Sequence, residues 1–346
     1  MEKGCQIWYL KGQRFKKMKH IFEWNKLKKL ISFRFAFILL FLLGTYLFLI
    51  SKPYNLNMAS VIRDITVLSE IKVPAGSLQQ GILDNRQQTT DNRRYSSNHR
   101  TLTMFDHDWN IVKTGQMKFD GISRPHIGIL SWSDTGNILA GIIDLDAYEK
   151  RESNTRVVLI NPNSFRVEKT YDFSLHSRYV DAIVQYQGEF WISYKNFITV
   201  YAVNEFGTLE EKRKYKIVSG TAQGLRVTKD GLYVVAENNL VSVRGLPNGI
   251  YRYPFDSLYE YDETLWSNIL STVESLASSI DYYFDIGVIN RFFKQAMNYP
   301  DVIWGFGFPA GNPDNEGFSF DTQSIERNII WISDVKGDTA RRILLN

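Results

Sequence analysis

The stretch TAQGLRVTKDGLYVVAENNLVSVRGLPNGIYRY, residues 221–253, decides the fold. It opens on a small, polar, glycine-bearing start (Ala222-Gln223-Gly224), runs as a short strand to Thr228 and turns at Asp230-Gly231. A second strand, Leu232-Tyr233-Val234-Val235-Ala236, is rich in β-branched and aromatic residues, and Gly249-Ile250-Tyr251-Arg252-Tyr253 alternates as a third. Asp-Gly between two such runs is a hairpin signal, because tight hairpin turns demand residues that tolerate positive φ. One small sheet of this kind cannot bury both faces, so it must stack against copies of itself.

Copies lie on both sides. The first starts at Gln80-Gly81-Ile82-Leu83-Asp84 and, after a polar insertion through Gln87 and Arg94, continues at Thr101 and Asn110. The second starts at Pro125-His126-Ile127-Gly128 and ends on strands beginning at Arg156 and Arg166. A third spans residues 180–218, and the last comprises 315–321, 329–334 and 340–345. The copies begin about 40 to 55 residues apart, the period of a propeller blade. The expected fold is an all-β, five-bladed propeller over residues 65–346, with six blades as the alternative. The chain ends on a strand with none after it, and residues 65–73 supply the missing edge if the ring closes.

The interval before the last copy is too long. Leu265, Ile269, Val273, Leu276 and Ile280 recur at helical spacing, and Val288, Ile289, Phe292, Phe293 and Met297 suggest a second helix before Pro300. Residues 257–300 therefore read as a helical insertion, and a degenerate sixth blade is the competing reading.

The chain of 346 residues has a formal charge of +4, but residues 1–50 alone hold ten Lys/Arg against Glu2 and Glu23. The remainder is net acidic, so a nucleic-acid-binding body is not expected. Residues 31–50, ISFRFAFILLFLLGTYLFLI, are long and apolar enough for a membrane-spanning helix. Lys16, Lys17, Lys19, Lys26, Lys28 and Lys29 precede them, which by the positive-inside rule predicts a basic cytoplasmic segment (1–30), a single-pass signal-anchor (31–50), a tether (51–64) and an extracytoplasmic propeller. A cleaved signal peptide is the alternative, with Met58-Ala59-Ser60 as the candidate site. Cys5 is the sole cysteine and no Asn-x-Ser/Thr sequon occurs, which fits a prokaryotic envelope protein whose outer domain is held by burial alone.

Three motifs carry a resemblance. Val158-Leu159-Ile160-Asn161-Pro162-x-x-Phe165-x-Val167, Gly224-Leu225-x-Val227-x-x-Asp230-Gly231-x-Tyr233-Val234, and Glu316-Gly317-x-Ser319-Phe320-Asp321 followed by Trp331-Ile332-Ser333-Asp334 resemble blades of the YVTN-type and gluconolactonase (lactonase-like) β-propeller superfamily. The resemblance spans roughly residues 65–255 and 310–346 and implies a fold rather than a reaction.

In a propeller the first positions of the inner strands converge at one mouth of the channel. Read across the copies, those positions are Gln80, His126, Asp181, Gln223 and Glu316, candidate ligand-binding residues. Resemblance to the lactonase-like members implies a divalent cation such as calcium there, with Asp181, Glu316 and His126 as metal ligands and a metal-dependent lactonase or esterase as the alternative function. The first blade carries glutamine where that pattern has glutamate, and the pattern's asparagine pair is missing. The leading expectation is a noncatalytic propeller that binds a small molecule or an envelope protein partner.

Three further groups stand out less. Arg86, Arg93, Arg94, His99 and Arg100 read as a solvated first-blade loop. Asp144-x-Asp146 reads as a polar turn, lacking the glycine and closing glutamate of a calcium loop. Trp304, Phe306, Phe308 and Pro309 read as packing of a divergent strand. No Gly-x-Ser-x-Gly elbow, P-loop, dinucleotide fingerprint or zinc-ligand cluster occurs.

Overall fold

A computed structural model describes residues 62–77, 80–84, 93–217, 221–237, 249–261, 298, 300–305, 328–334 and 338–346, together with 315–320 as backbone. The strands are β1 (Ile62–Arg63), β2 (Ile65–Lys72), β3 (Ile82–Leu83), β4 (Arg94–Asn98), β5 (Thr101–Phe105) and β6 (Ile111–Gln116). They continue as β7 (Pro125–Ile127), β8 (Ser131–Trp132), β9 (Ile138–Asp144), helix α1 (Leu145–Glu149), β10 (Thr155–Ile160) and β11 (Val167–Asp172). The third blade is β12 (Ala182–Tyr186), β13 (Glu189–Tyr194), β14 (Phe197–Val203) and β15 (Leu209–Lys216). Then come β16 (Thr221–Thr228), β17 (Gly231–Glu237), β18 (Gly249–Tyr253), β19 (Val302–Gly305), β20 (Asn315–Phe320), β21 (Ile329–Asp334) and β22 (Thr339–Leu345).

These strands form five sheets: β3-β4-β5-β6, β7-β9-β10-β11 with β8 also on β9, β12-β13-β14-β15, β16-β17-β18-β19-β1 and β20-β21-β22-β2. Apart from the parallel β1–β19 pair, their ladders are antiparallel, and the result is a five-bladed propeller. Closure is as expected: β2 pairs with β22 from Ile65↔Leu345 to Lys72↔Thr339. Pairing also reaches back into the stretch read as a tether, since Ile62 and Arg63 lie parallel to Ile303 and Trp304. The last residue is held at this join, its side-chain amide donating to Thr66 Oγ1 and its carbonyl accepting from the Trp304 indole.

The apolar core is five slabs, one in each gap between neighbouring blades. Strand alternation explains it. In β17, Leu232, Val234 and Ala236 face the third blade, while Tyr233 and Val235 face the fifth. In β21, Ile330 and Ile332 face the fourth blade, and Trp331 faces Ile82, Phe105 and Trp109 of the first. That last slab joins the two ends of the ring. Each fully buried side chain of this size contributes about 1.5–3 kcal/mol relative to exposure, so the blades hold one another without a disulfide.

Two glycines are required by geometry. Gly231 has φ +140°, and a Cβ there would sit 2.5 Å from the Tyr253 carbonyl oxygen. At Gly141 in β9 a Cβ would meet Val180 Cγ1 at 2.5 Å, so its absence lets the second and third blades close.

Several expectations change. Arg94–Asn98, read as loop, is the second strand of the first blade, pairing with both Ile82–Leu83 and Thr101–Phe105. A run of Arg, Ser and Asn carries little strand signal, but Tyr95 is buried and the chain turns back at once at His99-Arg100. The fourth blade takes its next strand, Val302–Gly305, from beyond the long interval, so that interval lies within a blade. Trp304 packs in the core, as expected. At the far end of the interval Asn298 is buried and exchanges hydrogen bonds with Tyr259 at the near end. The amphipathic helices expected within 257–300, the anchor at 31–50, Arg86, Phe306, Phe308 and Pro309 lie outside the described residues. Among those described, no helix is long and apolar enough to cross a membrane.

Candidate functional site

The first residues of the inner strands β3, β7, β12, β16 and β20 mark one face of the ring. Antiparallel pairing brings to the same face the β4–β5 turn with His99, the α1 connection between β9 and β10, the loop from β11 to β12, and the β13–β14 turn with Lys195. Bonds between blades tie these parts together: Ile127 N donates to His99 O at 3.0 Å, and Ala222 N to Lys195 O at 3.2 Å.

His126 lies in β7 and is buried, 7% exposed. Its Nδ1 is 2.8 Å from Nδ1 of His99, and its ring centroid lies 6.2 Å from that of Tyr179, which in turn packs 5.4 Å from Tyr148 on α1. Burial, with the His99 imidazole beside it, holds the His126 pKa at about 4, so the ring is neutral at physiological pH. Asp181, half-buried, is the last residue before β12. Burial raises its pKa to about 7, against the opposing effect of the Lys195 N–H, which donates to Oδ2 at 2.6 Å, and of the Lys195 charge.

Gln223 sits at a bulge in β16, where the register steps from Ala222↔Ala236 to Gly224↔Val235. The extra residue turns Gln223 out of the regular alternation. Glu316 occupies the second position of β20, opposite Ser333, again beside a bulge. Gln80 is half-buried just ahead of β3.

The segment that aims His126 is fixed by Asp144. Its carboxylate accepts from Ser123 N and Oγ, Arg124 N, Asp146 N and Asn154 Nδ2. Burial would raise its pKa, but these bonds outweigh that and hold it at about 2. Asp144 also caps α1. The Asp144-x-Asp146 pair is thus the polar turn expected.

The first-blade basic residues do not form one group. The Arg94 guanidinium lies 4.8 Å from both the Trp109 and Trp331 ring centroids, and its Nε is 3.1 Å from Asp84 Oδ1, which locks the first blade to the fifth. Arg93 donates to Asn163. Among the described members, His99 and Arg100 share the β4–β5 turn on the mouth face, and His99 reaches His126. His99, Tyr179 and Tyr148 are the mouth-face residues that the sequence reading missed as part of a site. They come from a turn, a loop and the five-residue helix α1, pieces too short or irregular for periodicity to point to a side chain's direction.

Among the described residues, the one set of three carboxylate or imidazole groups close enough to share a metal is Asp106, His107 and Asp108, on the opposite face. It is a turn: the Asp106 carboxylate accepts from Asp108 N, Asn110 N and Asn110 Nδ2. At the mouth, the described candidate ligands offer the Asp181 carboxylate, already accepting a backbone N–H, the His126 imidazole, engaged by another histidine, and the side-chain amides of Gln80 and Gln223. By themselves these supply fewer oxygens than the six to eight calcium takes, and the Glu316 side chain lies outside the described residues.

No protein-family model and no curated protein sequence matches the chain. Among solved structures it is similar to the β-propeller domain of Cps50 (Swd1) from Myceliophteria thermophila, at 8% identity and TM-score 0.36 over 79% of this chain and 99% of that one. It is also similar to a gluconolactonase from Xanthomonas campestris, at 12% identity and TM-score 0.40 over 74% and 69% of the two chains. A putative gluconolactonase matches at 10% identity and TM-score 0.39 over 74% and 71%. These likenesses are distant, and the propeller assignment rests on the sheet topology itself.

Proposed function

We propose that the chain is a membrane-anchored, extracytoplasmic propeller that binds a small ligand or an envelope protein partner at its mouth face and does not transform it. The observation that carries this reading is the pair of displaced groups at the mouth. His126 is neutral, and Asp181 is half-protonated near pH 7. Perturbed titratable groups gathered at one end of a channel mark a candidate site. Neither carries a full charge near pH 7, and Tyr148, packed on the Tyr179 ring that neighbours His126, presents an exposed ring (41%), which suits a ligand bearing hydroxyl or amide groups. The apolar run at 31–50 and its preceding lysines support the anchor.

The alternative, a metal-dependent lactonase or esterase, needs a cation for which the described side chains supply too few oxygens by themselves, and no specific observation favours it. The test is a thermal-shift screen of the full chain in detergent against neutral saccharides and amides, repeated with Asp181→Leu and His126→Ala. A compound that raises the Tm of the parent and of neither variant supports the reading. Compounds that raise all three equally place binding elsewhere.

A further inference from the structure

We propose that His99 and His126 form an acid-sensitive clasp between the first and second blades, closed while the two rings carry one proton between their facing nitrogens and sprung when both rings are protonated. Three bonds make the seam at this edge of the mouth. Ser97 Oγ donates to Gly128 O at 3.1 Å, Ile127 N donates to His99 O at 3.0 Å, and the two imidazole Nδ1 atoms meet at 2.8 Å. The first two have donors and acceptors fixed by chemistry. The third requires one protonated and one bare nitrogen.

The ring geometry supports a hydrogen bond rather than a chelate. The centroids are 5.0 Å apart, close to the 2.8 Å contact plus the two ring radii, so the nitrogens face each other head-on. A metal would draw both lone pairs toward a third point. Because His126 is buried and His99 is exposed, the proton belongs on His99 and His126 accepts. A first added proton leaves this bond in place and makes it charge-assisted. A second has only the buried ring to go to, and then two cationic N–H groups point at each other. Burial and the neighbouring His99 put that event near pH 4.

The surroundings offer no rescue. Arg100 follows His99 in its exposed turn, Arg124 is tied to Asp146 and Glu149, Asp144 is saturated by its own hydrogen bonds, and Tyr179 presents its ring. Among the described residues no carboxylate forms an ion pair with either ring of the clasp.

The test is amide hydrogen exchange of the full chain in detergent, corrected for intrinsic rate, from pH 7 to pH 4. The Ile127 amide, held by the His99 carbonyl, should lose protection at least tenfold, while Ala182, held by Ser193 Oγ in the third blade, should not. His99→Phe should abolish the difference. Imidazole nitrogen resonances of the parent chain provide a second readout that needs no variant: His126 Nδ1 should stay bare until the pH falls to about 4. Equal behaviour of Ile127 and Ala182, or a His126 ring that takes its proton near 6.5, overturns the proposal.

Discussion

The Ser193 hydroxyl of β13 donates to the Ala222 carbonyl of β16 at 3.0 Å, crossing from the third blade to the fourth, while the Ala182 N–H of its own blade donates to it at 2.8 Å. Ser97 does the same from the first blade to Gly128 of the second. Both serines are fully buried near the mouth-end of a blade's second strand. A hydroxyl suits the place because it can donate to one blade and accept from its own. Ser193→Ala removes both functions and should cost about 1–3 kcal/mol, lowering the urea midpoint without changing the slope.

Arg94 closes the ring at its other seam, packed against both Trp109 and Trp331, which also touch each other, and paired with buried Asp84. Arg94→Ala takes the guanidinium from Asp84 and should cost about 3–5 kcal/mol. Arg94→Lys keeps the charge but loses the planar stack, and should fall between the two in equilibrium unfolding.

Asp181 and His126 give opposite pH dependences. Asp181 titrates near 7 when folded against about 3.8 unfolded, so the folded state holds the extra proton and this group's contribution fades as pH rises from 4 to 7. His126 titrates near 4 folded against 6.5 unfolded, so its contribution is complete above 6.5 and is lost as pH falls toward 4. The two partly cancel. Asp181→Asn should therefore stabilise the chain at pH 8, by up to about 4 kcal/mol, and make its Tm fall more steeply toward pH 4 than the parent's.

Gly231 is the hairpin residue of the stretch that decided the fold. With φ +140° and the Tyr253 carbonyl where a Cβ would lie, Gly231→Ala should cost at least about 2 kcal/mol, read as a lowered Tm.

The blade pattern was legible because alternation in runs such as Leu232-Tyr233-Val234-Val235-Ala236 fixes which residues face which neighbour. Closure was legible because the chain ends on a strand with no partner after it. Arg94–Asn98 was not, since a second strand built from Arg, Tyr, Ser and Asn owes its place to Tyr95 packing and to its two partners rather than to β-propensity. Of the residues on the mouth face, the reading placed His126 and Asp181 there from their position in the repeat. It put His99 in a solvated first-blade loop and gave Tyr179 and Tyr148 no role; a turn, a loop and the short helix α1 deliver the three. The serines that stitch the blades were invisible for a similar reason: a hydroxyl inside a strand has no pattern until its acceptor in the next blade is known.

The most direct test of the mouth as the binding face is spectroscopic. Side-chain resonances of His126, Tyr148 and Tyr179 would be followed in the full chain as neutral saccharides and amides are added, with His107 on the opposite face as the internal control. Saturable shifts at His126, Tyr148 and Tyr179 with His107 still are the expected result. Shifts at His107 alone, or none at the mouth across the whole series, would contradict it.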